Sequence, residues 1–154
     1  MTDSQSRLDQ MLVKLKDLKF RITPQRLAVL KILAESKEHP SVDRIYEQVR
    51  ADFPTTSLAT VYKTITLLKE LNEVLELGFS EGSNRYDGYN PYPHPHVICT
   101  QCREIIDPEL TGIRRLTEEA KGKTGYRITT HRLDFFGLCK KCQMKTSEKP
   151  RLSR

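Results

Sequence analysis

Two Cys-x-x-Cys pairs, Cys99 with Cys102 and Cys139 with Cys142, take up every cysteine in this 154-residue chain. Such a pair turns both sulfurs toward one point, and two pairs furnish the tetrahedral S4 shell that Zn2+ favours. The segment 103–138 between them exceeds a minimal zinc ribbon and leaves room for a helix and a strand. A metal there would staple a small α/β domain. Four thiolates leave no position open for a reacting water, so the site would be structural. Redox-active or merely structural thiols are the alternative. The matched spacings, with no cysteine left over, favour zinc.

No apolar run approaches the ~20 residues of a membrane span. The N-terminus, MTDSQSRLDQMLVKLK, carries acids and lacks the apolar centre of a signal peptide. A cytoplasmic location is expected, where paired cysteines bind metal more often than they form disulfides. Lys and Arg number 26 against 20 Asp and Glu, a formal +6. The excess is spread thinly: residues 1–74 hold 12 basic and 10 acidic side chains, and residues 75–154 hold 14 and 10. Charge alone permits nucleic-acid binding without demanding it.

The first half reads as helices. Leu8, Met11, Leu12, Leu15 and Leu18 recur at helical spacing. Thr23-Pro24 opens a second helix, with Thr as N-cap and Pro at the first helical position. That helix is expected to run to His39-Pro40, since Pro disfavours helix in the residue before it. Ser41 caps a third helix and Ser57 a fourth, on which Leu58, Val61, Ile65 and Leu68 share one face. In EVLELGF the period falls to two, SEGSN reads as a turn, and RYD returns as a second strand. Helices followed by a hairpin is the order of a winged helix, here spanning 1–88. The Pro-rich stretch after it supplies a linker at 89–93, and a second domain covers 94–146. Within that domain, strands are expected at Val97–Cys99, Arg103–Ile106 and Tyr126–Phe136, with a helix opened by Pro108 and reaching about Lys121. Residues 147–154 read as a flexible hydrophilic tail. The fold class is therefore α+β, a winged helix-turn-helix domain followed by a small α/β domain.

His94 and His96 are two apart, so on an extended segment they point the same way. With the zinc already held by four thiolates, they suggest a second ion. Asp87 and Asp107 are the nearest suitable carboxylates, and His39 completes an N3O2 set that suits Fe2+ or Mn2+ at least as well as Zn2+. Taken singly, each has a plainer reading: His39 as a solvated helix-end histidine, and Asp107 as a cap before Pro108. His131 shares strand parity with Leu133 and Phe135 and is expected to be partly buried and hydrogen-bonded. Pro93 and Pro95 lack backbone donors, which places the strand carrying the histidines at a sheet edge.

RITPQRLAVL (21–30), HPSVDRIYEQV (39–49), SLATVYKTITLLKEL (57–71), RYD (85–87), HPHVICTQCREIID (94–107) and CKKC (139–142) together resemble the ferric uptake regulator family of metal-dependent repressors. The resemblance implies a winged-helix DNA-binding domain, a C-terminal dimerisation domain and a homodimer. His39, Asp87, His94, His96 and Asp107 fall where that family places its regulatory ligands. The two aspartates match its peroxide-sensing branch, whereas iron-sensing members tend to carry glutamates. Oxidation of a ligand histidine, His39 or His94, is implied as the sensing event. His131 lies near a ligand of a further site in some members, but Pro93 and Pro95 stand where that site would want His and Asp.

On this reading Ser57–Leu71 is the recognition helix. Ser57, Ala59, Thr60, Tyr62 and Lys63 would face the major groove of a palindromic operator. Lys19, Arg26 and Arg85 would join Lys63 on phosphates. Three alternatives stand beside it: an iron- or zinc-responsive uptake repressor that ignores peroxide, a metallohydrolase with no identifiable separate general base, and a zinc-stapled interaction domain without a DNA target.

Overall fold

The computed structural model describes residues 3–79 and 84–146. The expected turn at 80–83 and the tail at 147–154 lie outside the described residues. The chain divides into two compact units, Met1–Tyr92 and Pro93–Arg154.

The first unit holds α1 (Ser4–Asp17), α2 (Pro24–Glu35), α3 (Val42–Asp52), α4 (Leu58–Glu70), β1 (Leu75–Leu77) and β2 (Arg85–Asp87). Each helix begins where a short polar side chain can take up an orphan amide. Thr23 accepts from the Arg26 amide at 3.1 Å, Ser41 from that of Arg44 at 3.3 Å, and Ser57 from that of Thr60 at 3.2 Å. Leu15, Leu30, Leu33, Ile45, Ile65 and Leu68 are sealed from solvent in one core shared by the four helices. The two strands pair antiparallel, with Leu75 opposite Asp87 and Leu77 opposite Arg85. Ser41 forms an isolated bridge to Arg85.

α2 stops at Glu35, short of the expected His39. Ser36 already has an extended backbone (ψ 122°), so the chain turns away before Pro40 takes effect. Leu58 was expected in the core and is 38% exposed at the first turn of α4. Residues just after β2 make contacts within the first unit. Arg7, itself buried, donates from Nε to the Gly88 carbonyl at 2.8 Å. Asn90 donates its amide to Asp87 Oδ1 at 2.9 Å, and the Lys37 ammonium lies over the Tyr89 ring.

The second unit holds β3 (His96–Cys99), β4 (Ile105–Ile106), α5 (Ile113–Thr124), β5 (Asp134–Gly137) and α6 (Lys140–Thr146). Its sheet has the order β4-β3-β5, antiparallel between β3 and β4 and parallel between β3 and β5. The histidine strand is therefore central, not at an edge. Pro93 and Pro95 precede its first ladder residue, so their missing N–H groups cost no pairing. Pro108 opens no helix: α5 begins at Ile113 behind Gly112, whose φ of 95° suits glycine. Of the long strand expected from Tyr126, only Asp134–Gly137 pairs, because β3 offers just four residues to pair with. Arg103 sits at φ 63° and turns the knuckle rather than joining β4.

Candidate functional site

The four cysteines converge within the second unit. One Sγ from each lies within 4.8 Å of the others. β3 ends at Cys99 and its turn carries Cys102, while β5 leads through Leu138 to Cys139, and α6 carries Cys142. The amides of Cys139 and Cys102 point at Cys99 Sγ and lower its pKa to about 6. Burial, followed by the neighbouring thiols, pushes Cys142 up to about 12. One thiolate is thus held ready while Cys102 and Cys142 resist ionising beside it. A divalent cation removes that conflict, and four sulfurs at this spacing fit Zn2+.

The five other candidate ligands fall in two groups. In the first unit, His39 Nε2 lies 3.1 Å from Asp87 Oδ2, both residues being almost wholly buried. His39 has φ 54°, and its carbonyl accepts from Arg85 Nε. The next carbonyl, that of Pro40, accepts from the Tyr86 amide at 3.0 Å. Both bonds fasten the His39 turn to β2, the strand that bears Asp87. Arg85, expected on DNA phosphate, donates to the Glu38 and His39 carbonyls.

In the second unit, His94 and His96 lie on one face with ring centroids 4.4 Å apart. Asp107 serves both: its Oδ2 is 3.1 Å from His94 Nε2 and its Oδ1 is 3.5 Å from His96 Nε2. Asp107 is therefore not the cap of a following helix. In each group an imidazole Nε2 meets a carboxylate oxygen, the borderline-to-hard donor set that suits Fe2+, Mn2+ or Zn2+. Asp134, which the sequence reading passed over, stands opposite His96 in the β3–β5 ladder with Oδ1 3.4 Å from His96 Nδ1. His131 is partly buried as expected, but its Nε2 has no hydrogen-bond partner among the described residues.

On α4, Ser57, Ala59, Thr60, Tyr62 and Lys63 are exposed, while Val61, Thr64, Ile65 and Leu68 are buried. The helix thus keeps an open face of small and polar residues at its N-terminal end. Lys19 is exposed, and Arg26 donates to the Arg21 carbonyl at 2.6 Å.

Residues 17–136 match the ferric uptake regulator family. The chain belongs to that family. A peroxide-responsive repressor of Staphylococcus aureus is 40% identical over 141 residues, 90% of this chain and 93% of the relative. Among solved structures, the ferric uptake regulator of Helicobacter pylori, described as having three functional metal-binding sites, superposes with a TM-score of 0.78 at 27% identity, over 92% of this chain and 94% of that one. The Campylobacter jejuni peroxide stress regulator gives 0.69 at 35% identity, over 86% and 98%. This family of transcriptional regulators shares the mixed architecture seen here, helical first and sheet-containing second. No helix among the described residues is long and apolar enough to cross a membrane.

Proposed function

We propose that this ferric uptake regulator homologue is a homodimeric, metal-dependent repressor that senses hydrogen peroxide and releases a palindromic operator. The observation that carries the reading is the donor set, split as a His–Asp pair in the first unit and a His–His–Asp group in the second. A relative named as a peroxide-responsive repressor, 40% identical, supports it.

On this proposal His39, Asp87, His94, His96 and Asp107 hold one Fe2+ or Mn2+, and Cys99, Cys102, Cys139 and Cys142 hold a structural Zn2+. The regulatory ligands then tie the two units to each other. Because Gly88–Asn90 is fastened to the first unit, freedom between the units resides beyond Asn90. A dimer reads a palindrome when its two recognition helices stand one DNA turn apart, about 34–36 Å. The ligand set favours that arrangement by its differential affinity for it. Ser57, Ala59, Thr60, Tyr62 and Lys63 then meet base edges, with Lys19 and Arg26 at phosphates.

When bound, Fe2+ would catalyse a two-electron exchange between hydrogen peroxide and a ligand ring. The imidazole of His39 or His94 would be the reductant: one peroxide oxygen becomes C2=O, the displaced C2 hydrogen ends on a ring nitrogen, and the other oxygen leaves as water. An imidazole so changed is a poor ligand, and the units part.

The test is binding to a palindromic operator duplex with Fe2+, Mn2+ or Zn2+, before and after peroxide. The Fe2+ form should lose the duplex and gain one oxygen on a peptide containing His39 or His94. The Mn2+ form should keep both its duplex and its mass. Equal oxidation of both forms counts against peroxide sensing. It leaves an uptake repressor governed by metal supply, the reading favoured by the fold similarity to the Helicobacter pylori regulator.

A further inference from the structure

His96 meets carboxylates at both ring nitrogens. Its Nε2 faces Asp107 Oδ1 at 3.5 Å, on the side of the candidate ligand group, and its Nδ1 faces Asp134 Oδ1 at 3.4 Å. Asp134 belongs to β5, directly opposite His96 in a parallel ladder of four residue pairs. The His96 amide donates to the Leu133 carbonyl at 3.1 Å, which fixes the start of that register. The Asp134 side chain is 8% exposed, and Arg132 Nε donates to its other oxygen, Oδ2, at 2.6 Å. One oxygen is thus engaged by a guanidinium and the other aimed at the imidazole.

We infer that Asp134 is a positioning residue for the regulatory metal, holding His96 with its proton on Nδ1 and its lone pair on Nε2. A histidine that ligates through one nitrogen commonly gives its other N–H to a carboxylate, which fixes tautomer and ring angle and raises ligand basicity. Asp134 touches no metal on this reading; it acts through His96. The same strand runs on to the zinc knuckle, for Gly137 pairs with Cys99 and its carbonyl accepts from the Thr100 amide at 2.8 Å. The sulfur site therefore holds in register the strand that aims His96.

The inference rests on the proposed regulatory site, and the experiment separates the two. Zinc-replete wild type, His96→Ala, Asp134→Ala and Asp134→Asn are titrated with Mn2+. Cobalt-loaded samples are examined by proton NMR for the exchangeable ring N–H of the ligand histidines. Asp134→Ala should bind Mn2+ about 10- to 100-fold more weakly and lose one slowly exchanging ring N–H signal, with zinc content and melting temperature unchanged. Asp134→Asn, whose carbonyl oxygen is able to accept from Nδ1–H, should recover part of the affinity and the signal. Mn2+ binding by Asp134→Ala within twofold of wild type overturns the inference while leaving the metal site standing. So does an equal loss of affinity, zinc and melting temperature in both Asp134 variants, which marks Asp134 as structural only. Wild type that takes up no second ion overturns both.

Discussion

His39 Nε2 and Asp87 Oδ2 stand 3.1 Å apart in the interior of the helical unit, and neither residue has appreciable solvent contact. A buried carboxylate beside a buried imidazole is costly to leave half-satisfied. Asp87→Ala should therefore act twice. The metal-free protein should lose about 1–3 kcal/mol of unfolding free energy, measured by urea titration. Regulatory Mn2+ affinity should fall further than for any residue outside the ligand set, while zinc content stays at one per chain. A variant of full metal affinity would remove Asp87 from the site.

Arg7 supplies a second coupling. Its guanidinium reaches the Gly88 carbonyl at 2.8 Å, the Glu73 carbonyl at 2.7 Å and the Glu73 carboxylate at 2.7 Å. Gly88 directly follows Asp87. Removing one partner of a buried, hydrogen-bonded ion pair costs about 3–5 kcal/mol, and Arg7→Ala should come near the lower end because Glu73 is 12% exposed. Metal affinity should fall with it, since α1 no longer holds the chain behind the ligand.

Gly88 itself has no room for a side chain. A Cβ there would lie 2.7 Å from Leu33 Cβ and 3.1 Å from the Leu33 carbonyl oxygen. Gly88→Ala should destabilise the protein by about 1–3 kcal/mol through overpacking. Leu33→Ala in the same chain should recover none of this, because alanine keeps the Cβ and backbone carbonyl that stand in the way and truncating the buried Leu33 adds about 2–5 kcal/mol of its own. Thermal unfolding of the single and double variants gives the comparison.

The cysteine cluster predicts a proton count. In the folded, metal-free chain Cys99 has its pKa lowered to about 6, so at pH 7.5 it is already a thiolate. Cys142 is pushed up to about 12 and Cys102 also upward, so both are protonated there. Zinc uptake at pH 7.5 should release at least the two protons of Cys102 and Cys142 and fewer than four. Calorimetry in buffers of different ionisation enthalpy measures this directly. As the pH falls through 6 the Cys99 thiolate is lost too, so release should rise by one. Release of all four protons at pH 7.5 would contradict the amide-stabilised thiolate.

The starts of α2, α3 and α4 were legible because each is a local event: Thr23-Pro24, Ser41 and Ser57 cap the helices they announce. The hairpin was legible from its period, and the cysteine cluster from spacing alone. What escaped the sequence depends on residues far along the chain. Asp107 before Pro108 has the look of a cap, but its carboxylate is taken by His94 and His96. Asp134 drew no notice in the sequence, because only the parallel register sets it opposite His96. Nor does the sequence show that Arg85 meets the Glu38 and His39 carbonyls. The prolines flanking His94 implied an edge strand only because the ladder was assumed to include them.

The end of α4 gives the last test, since Ser57 has a structural duty as well as a proposed one. Its Oγ accepts from the Thr60 amide at 3.2 Å and is 2.9 Å from Thr60 Oγ1. Ser57→Ala removes the cap and should cost about 1 kcal/mol, so weaker DNA binding by that variant would be ambiguous. Asp caps as well as Ser does and suits the positive end of the helix dipole. Ser57→Asp should therefore unfold at or above the wild-type temperature. A carboxylate pointed into the groove meets the negative potential of the phosphates, and metal-loaded Ser57→Asp should bind operator duplex at least about tenfold more weakly, a loss of ~1.4 kcal/mol. Lys63→Ala should lower affinity across unrelated duplexes and flatten the salt dependence by about one ion. If Ser57→Asp binds operator like wild type while Lys63→Ala does not, the phosphates lie along the side of α4 and its N-terminal turn stays out of the groove.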